Sequence, residues 1–89
     1  MRDVPKLSLQ ARIEREVASL LKERREKLGL SKVVTAERAG VAVMTIFFAE
    51  ELKRSPSLKT LLKIADALEC DLWQLLHTAT ANAKRADNA

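Results

Sequence analysis

Residues 28–58, LGLSKVVTAERAGVAVMTIFFAEELKRSPSL, decide the fold of this chain. They contain two short helical patterns joined through Ala39-Gly40-Val41, where the glycine can take the left-handed conformation of a tight turn. The basic segment Lys53-Arg54-Ser55-Pro56 then breaks the second helix. The stretch therefore predicts two short helices joined by a tight turn, at about residues 32–39 and 43–51.

Helical patterns also lie on both sides of this stretch. Upstream, apolar residues recur three, four or seven positions apart, which predicts a long first helix between Ser8 and Gly29. Downstream, Ser57 is placed to cap a fourth helix, and Asp71 with Gln74 forms a D-x-x-Q capping box that opens a fifth. We therefore expect an all-α fold of five helices with an elongated first helix.

The length of 89 residues allows one small domain. Residues 1–7, which include Pro5, are expected to form a flexible arm. The polar, alanine-rich end of the chain is expected to be a disordered tail. The predicted boundaries are therefore 1–7 for the arm, 8–80 for the domain and 81–89 for the tail.

Charge and composition narrow the class of function. The formal net charge is +4 and the pI is about 9.6, which favours a polyanionic partner, although a slight positive bias without function fits the charge equally well. The single cysteine, Cys70, excludes an intramolecular disulfide. No apolar run approaches the ~20 residues that span a bilayer, and a signal-peptide pattern is absent. We expect a cytoplasmic protein with no membrane partner.

The sequence contains no pattern typical of a catalytic or metal site. No nucleophile, base and orienting group combine, and no glycine-rich phosphate loop occurs. His77, the only histidine, has no cysteine or histidine neighbour at metal-ligand spacing. We therefore expect no enzyme activity, cofactor or metal.

Between positions 20 and 76, a set of residues occurs at the spacings of a known family pattern, and the alignment to that pattern needs no insertion or deletion. They are Leu21, Arg25, Gly29-Leu30-Ser31, Ala36, Gly40-Val41, Thr45-Ile46, Glu50, Pro56-Ser57-Leu58, Leu61, Ile64-Ala65, Ala67-Leu68, Leu72 and Leu75-Leu76. This set resembles the lambda-repressor-like helix-turn-helix family, the XRE or Cro/C1 type. The resemblance implies duplex DNA binding, with the third helix in the major groove. It also implies that Arg25 and Glu50 form a structural pair. Thr35 and Leu52 depart from the pattern, since relatives have leucine and a turn glycine there.

The resemblance also implies where DNA would be contacted. The positions that present polar, base-contacting residues in relatives are apolar here, namely Ala42, Val43, Met44, Phe47 and Phe48. Three interpretations remain open for them: contact with thymine methyl groups, a protein or dimer interface, and core packing. The candidate phosphate contacts are Ser31, Lys32, Thr45, Lys53 and Arg54, with ordinary solvated side chains as the alternative.

Two hypotheses of function follow. The first is a sequence-specific transcriptional regulator, a repressor that binds a palindromic operator in nucleoid, plasmid or phage DNA as a homodimer. Its dimer interface is predicted at Leu72, Trp73, Leu76 and Ala79, which offer more apolar surface than one small core needs. The second is a protein-interaction module, such as an antitoxin, which docks a partner protein through Phe47 and Phe48.

Overall fold

The computed structural model of the protein describes residues 7–87, and the side chains of residues 7–85. This part of the chain is all-helical, as predicted, and has no β-strand. Its elements are α1 (Leu9–Lys27), α2 (Lys32–Ala39), α3 (Val43–Glu51), α4 (Leu58–Ala67) and α5 (Leu72–Asp87). The bounds of α2 and α3 coincide with those that the sequence predicts. The predicted N-terminal arm lies, apart from Leu7, outside the described residues.

Short hydroxyl side chains begin three of the helices. The Oγ atom of Ser8 accepts a hydrogen bond from the N–H of Ala11 at 3.1 Å. Ser31 and Ser57 do the same for the third residues of α2 and α4, at 3.0 and 3.1 Å. Each bond satisfies a backbone donor that a helix start leaves without an intrahelical partner. The cap predicted at Ser57 is therefore confirmed, and Ser8 and Ser31 act in the same way. At the start of α5, Oδ1 of Asp71 accepts from the N–H of Trp73 at 2.9 Å.

The core lies mainly between α1 and α5, which pack against each other. The two helices are antiparallel, because Arg24 reaches the end of α4 while Glu16 contacts Asn82. Leu21 is 1% exposed at the centre of this core, and α3 and α4 complete it. The buried cluster comprises Val17, Leu21, Ala36, Ile46, Ala49, Ile64, Ala65, Leu68, Leu72, Leu75 and Ala79.

The C-terminal part of the chain corrects the sequence prediction of a disordered tail. Helix α5 continues to Asp87, and Ala83 is buried against the rest of the molecule. The side-chain amide of Asn82 donates to Oε1 of Glu16 at 3.1 Å, which joins this part of α5 to α1. Small alanine side chains one helical turn apart let the two helices approach closely. Residues 81–87 are thus helical, and only 88–89 of the predicted tail lie outside the described residues.

The same packing corrects part of the predicted dimer interface. Leu72 and Ala79 are buried in the core of the single chain, and Ala79 is completely inaccessible. Leu76 is half-buried and packs against this core. The length of α1 explains the difference, since it covers the apolar face of α5 that was predicted to contact a second copy. Trp73 alone among the four is exposed.

The structure accommodates both departures from the family pattern. Thr35 is completely buried, and its hydroxyl donates to the carbonyl oxygen of Ser31 at 2.9 Å, so the polar group is satisfied inside the core. Leu52 ends α3 in the left-handed conformation, at φ 57° and ψ 29°. This conformation costs a leucine about 1–2 kcal/mol more than a glycine. The Leu52 side chain lines an apolar cavity with Ala49 and Leu61.

Candidate nucleic-acid interface

The turn between α2 and α3 fixes how α3 is presented. Gly40 adopts the left-handed conformation at φ 68° and ψ 37°, and its N–H donates to the carbonyl of Glu37 at 3.2 Å. The N–H of Val41 donates to the carbonyl of Ala36 at 3.0 Å. Ala36 and Ile46 are both buried in the core cluster that α2 and α3 share. The small side chain at position 36 lets the helices cross closely, so α3 has one defined orientation.

An ion pair ties α3 to α1. The guanidinium of Arg25 donates to the Glu50 carboxylate twice, from Nε to Oε2 at 2.6 Å and from Nη2 to Oε1 at 3.1 Å. Its Nη1 donates to the carbonyl of Leu30 at 2.8 Å, which adds the loop before α2. The hydrogen bond to Glu50 is the main cause of a raised Arg25 pKa. The structural pair that the resemblance implies is therefore confirmed.

The first turn of α3 projects apolar side chains into solvent. Val43 is 40% exposed and Met44 is 49% exposed, and Ala42 before them is exposed as well. Ala42 makes no side-chain cap, so the start of α3 presents no polar side chain until Thr45, which is half-buried. Helix α2 adds exposed Val33 and Val34. This surface can make van der Waals contacts but offers few side-chain hydrogen bonds.

The two phenylalanines of α3 are placed differently. Phe47 and Phe48 are half-buried, and their rings meet edge to face with centroids 5.9 Å apart. The guanidinium carbon of Arg54 lies 5.2 Å from the centroid of the Phe48 ring, a cation–π distance. Phe48 thus takes part in packing the loop after α3, which leaves the pair with less free surface than Val43 and Met44.

The predicted phosphate contacts lie at the ends of the two-helix unit. Lys32 is the first residue of α2 and is half-buried, whereas Lys53 is exposed just after α3. Ser31 uses its oxygen to cap α2, and this leaves its hydroxyl proton free to donate elsewhere. The Arg54 side chain is exposed although it stacks on Phe48. Cations therefore lie at the start of α2 and just after the end of α3.

Two leucines of α4 lie outside the core, although they recur at helical spacing. Leu58 is 64% exposed and Leu62 is 52% exposed. The spacing of leucines along α4 indicates an apolar face, but it does not show how wide a sector the neighbouring helices cover. The buried part of α4 is centred on Ile64 and Leu68 instead.

The remaining chemically reactive groups form no obvious site. The side chains described in residues 7–85 contain no cluster of three or more His, Cys, Asp or Glu that could hold a metal. Burial raises the pKa of the Cys70 thiol, which keeps it in the less nucleophilic protonated form. His77 is exposed and stacks on Trp73, with ring centroids 5.5 Å apart. No helix in the described part of the chain has the length and apolar character needed to cross a membrane.

Comparison with known families agrees with this architecture. A family model described as helix-turn-helix matches residues 21–72, more than half of the chain. The protein therefore belongs to this helix-turn-helix family, of the XRE or lambda-repressor-like type. It is a family of DNA-binding regulators and is generally non-enzymatic. A search of curated proteins found no match. The family match begins within α1 and ends at the first residue of α5.

Proposed function

We propose that the protein is a repressor that binds a two-fold-symmetric operator in duplex DNA as a homodimer and blocks access of polymerase to a promoter. The observation that carries this proposal is the exposed first turn of α3, held by the Gly40 turn and by the Arg25–Glu50 ion pair. A helix ~10–12 Å across fits the major groove of B-DNA, which is about 12 Å wide. The protein would act in the cytoplasm on nucleoid or plasmid DNA.

Phosphate contacts would position the protein on the duplex. Lys32 and Lys53 stand at the start of α2 and after α3, so they can reach the backbones on either side of a groove that α3 enters. Ser31, Thr45 and Arg54 are proposed as further phosphate contacts. These contacts provide affinity and orientation but little sequence information.

Base reading would fall to the apolar side chains at the start of α3. Val43 and Met44 neither donate nor accept a strong hydrogen bond, so they cannot recognise bases through hydrogen bonds. The C5-methyl group of thymine is the apolar feature of the major groove, and no other DNA base carries it. Ala42, Phe47 and Phe48 would shape the surface around this contact.

Selection of bound sites from random duplex DNA tests the proposal directly. We expect enrichment of one palindrome whose thymines face α3. A protein that retains no sequence above background would refute the repressor function. The second candidate function, docking of a partner protein on Phe47 and Phe48, would then be favoured. Both residues are half-buried, which limits the surface available to such a partner.

Removing the two lysines should weaken DNA binding without changing its specificity. Lys32→Ala and Lys53→Ala are each expected to lower affinity equally for the operator and for random DNA. The plot of log K against log salt concentration has a negative slope, and each substitution should reduce the magnitude of this slope by about 0.9 per lost contact. The measurement is a fluorescence-anisotropy titration over a range of salt concentrations. Lys84→Ala, at an exposed position on α5, is the control. An unchanged slope in the double variant would reject the assignment.

Replacing operator thymines with uracil should reveal whether contacts with the thymine methyl groups contribute to binding. Loss of one methyl contact is expected to cost on the order of 1 kcal/mol at the thymines that Val43 or Met44 touches. Val43→Ala should abolish the penalty at its own position while the phosphate footprint remains. Affinities for singly substituted operators measure both effects. If uracil is tolerated everywhere and both side chains can be truncated without loss of specificity, α3 does not read bases in this way.

A further inference from the structure

Helix α4 has an exposed apolar row that the monomer does not use. Leu58 and Leu62 are one turn apart and therefore share a face, and each residue exposes more than half of its surface. The core covers a different sector of the helix, around Ile64 and Leu68. Two large exposed leucines on one helix face are unusual for a surface that meets only water.

Exposed charges beside this row are distributed asymmetrically along the helix. Lys59 lies in the first turn of α4 and Lys63 near its middle, whereas Asp66 lies near its C-terminal end and Glu69 just beyond it. Lys59 and Asp66 are seven residues apart, so they lie on nearly the same side of the helix and about 10 Å apart along its axis. This distance is too long for a contact within one helix. The pair is complementary to the same pair of a second copy only when that copy's α4 runs in the opposite direction.

We propose that this α4 face is where a second copy of the chain docks, with the two α4 helices packed antiparallel about a two-fold axis near Leu62. Leucine side chains would meet at the axis, and Lys59 of each copy would lie opposite Asp66 of the other. A parallel arrangement would instead bring like charges together. The inference rests on the proposed function in taking the second copy to be the one that binds the other half of the operator.

The position of α4 in the fold suits this role. Only residues 52–57 separate it from α3, so a two-fold axis at α4 relates two nearby copies of the reading helix. Such a dimer matches the symmetry of a palindromic operator. Helix α5 contacts α4 and carries a further exposed apolar side chain, Trp73, which is 70% exposed.

Sedimentation equilibrium of the full chain without DNA tests the interface. The wild type is expected to dimerise, and Leu62→Asp should raise the dimer dissociation constant about a hundredfold, because each dimer loses two buried leucines. Leu9→Asp, at an exposed leucine at the start of α1, is the matched control and should dimerise normally. Circular dichroism would verify that the variants are folded. A wild type that stays monomeric at about 100 µM, or a Leu62→Asp variant that dimerises normally, would overturn the inference.

A charge exchange tests the antiparallel direction. Lys59→Asp and Asp66→Lys should each weaken dimerisation roughly tenfold, because each brings like charges together twice in the dimer. The double variant restores opposite charges between copies and should recover most of the wild-type affinity. Additive losses in the double variant would reject the proposed arrangement, since the two side chains are too far apart to compensate within one helix.

The same variants separate this inference from the proposed function. If the wild type selects a palindrome but Leu62→Asp still dimerises, the α4 interface is wrong and the repressor function stands. If the exchange experiment succeeds but no DNA sequence is selected, the interface stands and the repressor function fails.

Discussion

Replacing Glu50 with alanine is expected to destabilise the protein by about 3–5 kcal/mol, because it leaves the buried guanidinium of Arg25 without its counter-ion. Arg25 is 7% exposed, so water cannot readily replace the two hydrogen bonds that the carboxylate accepts. Small domains are typically stable by only about 0.05–0.15 kcal/mol per residue, so this loss removes much of the total. Urea unfolding followed by circular dichroism measures it.

Two further variants show whether the loss comes from the unpaired charge. The double change of Arg25 to methionine and Glu50 to leucine should cost clearly less than the sum of the single changes, because it leaves no buried charge. Arg38→Ala breaks the exposed Arg38–Glu69 pair, whose closest atoms are 3.6 Å apart, and should cost at most about 1 kcal/mol. A Glu50→Ala variant as stable as Arg38→Ala would contradict the expected contribution of the buried Arg25–Glu50 pair to stability.

Replacing Ala83 with aspartate is expected to destabilise the protein by about 3 kcal/mol or more. Ala83 is 1% exposed where α5 packs on the rest of the domain, so a carboxylate there would lose its hydration and force the helices apart. Thermal unfolding followed by circular dichroism measures the effect, and the lost stability should appear as a lower melting temperature.

The exposed neighbour two residues earlier provides a matched control. Ala81→Asp makes the same chemical change on the solvent side of α5 and should cost only the difference in helix propensity, about 0.7 kcal/mol or less. Equal effects at the two positions would mean that the end of α5 does not pack as described. Such a result would favour the disordered tail that composition alone predicts.

Much of the fold depends on interactions between residues close in sequence, and these could be predicted. Ser8, Ser31 and Ser57 cap helices within three residues of themselves, and Gly40 forms a turn that few other residues adopt. The Gly40 turn and the break at residues 53–56 were enough to place α2 and α3. The Arg25–Glu50 pair was predictable only by resemblance, since 25 residues separate its members and no local rule links them.

The candidate interface was predictable in part. The chemistry of Val43 and Met44 is evident from their residue types, and their exposure confirms that they are not core residues. The half-burial of Phe48 was not predictable, because it depends on where the loop after α3 places Arg54. Periodicity gives the angle of a side chain around its helix but not which neighbouring element covers that angle.

Local sequence signals thus determined the helices, their starts and the turn that presents α3, because each depends on hydrogen bonds and backbone preferences a few residues apart. Only the tertiary structure decided which apolar faces are buried. The long α1 takes Leu72, Ala79 and Ala83 into the core and turns an apparent tail into helix. The same arrangement leaves Leu58 and Leu62 exposed, although their residue type and helical spacing are typical of core residues. Burial is a property of helix pairs brought together by packing, and the pattern of a single helix does not contain it.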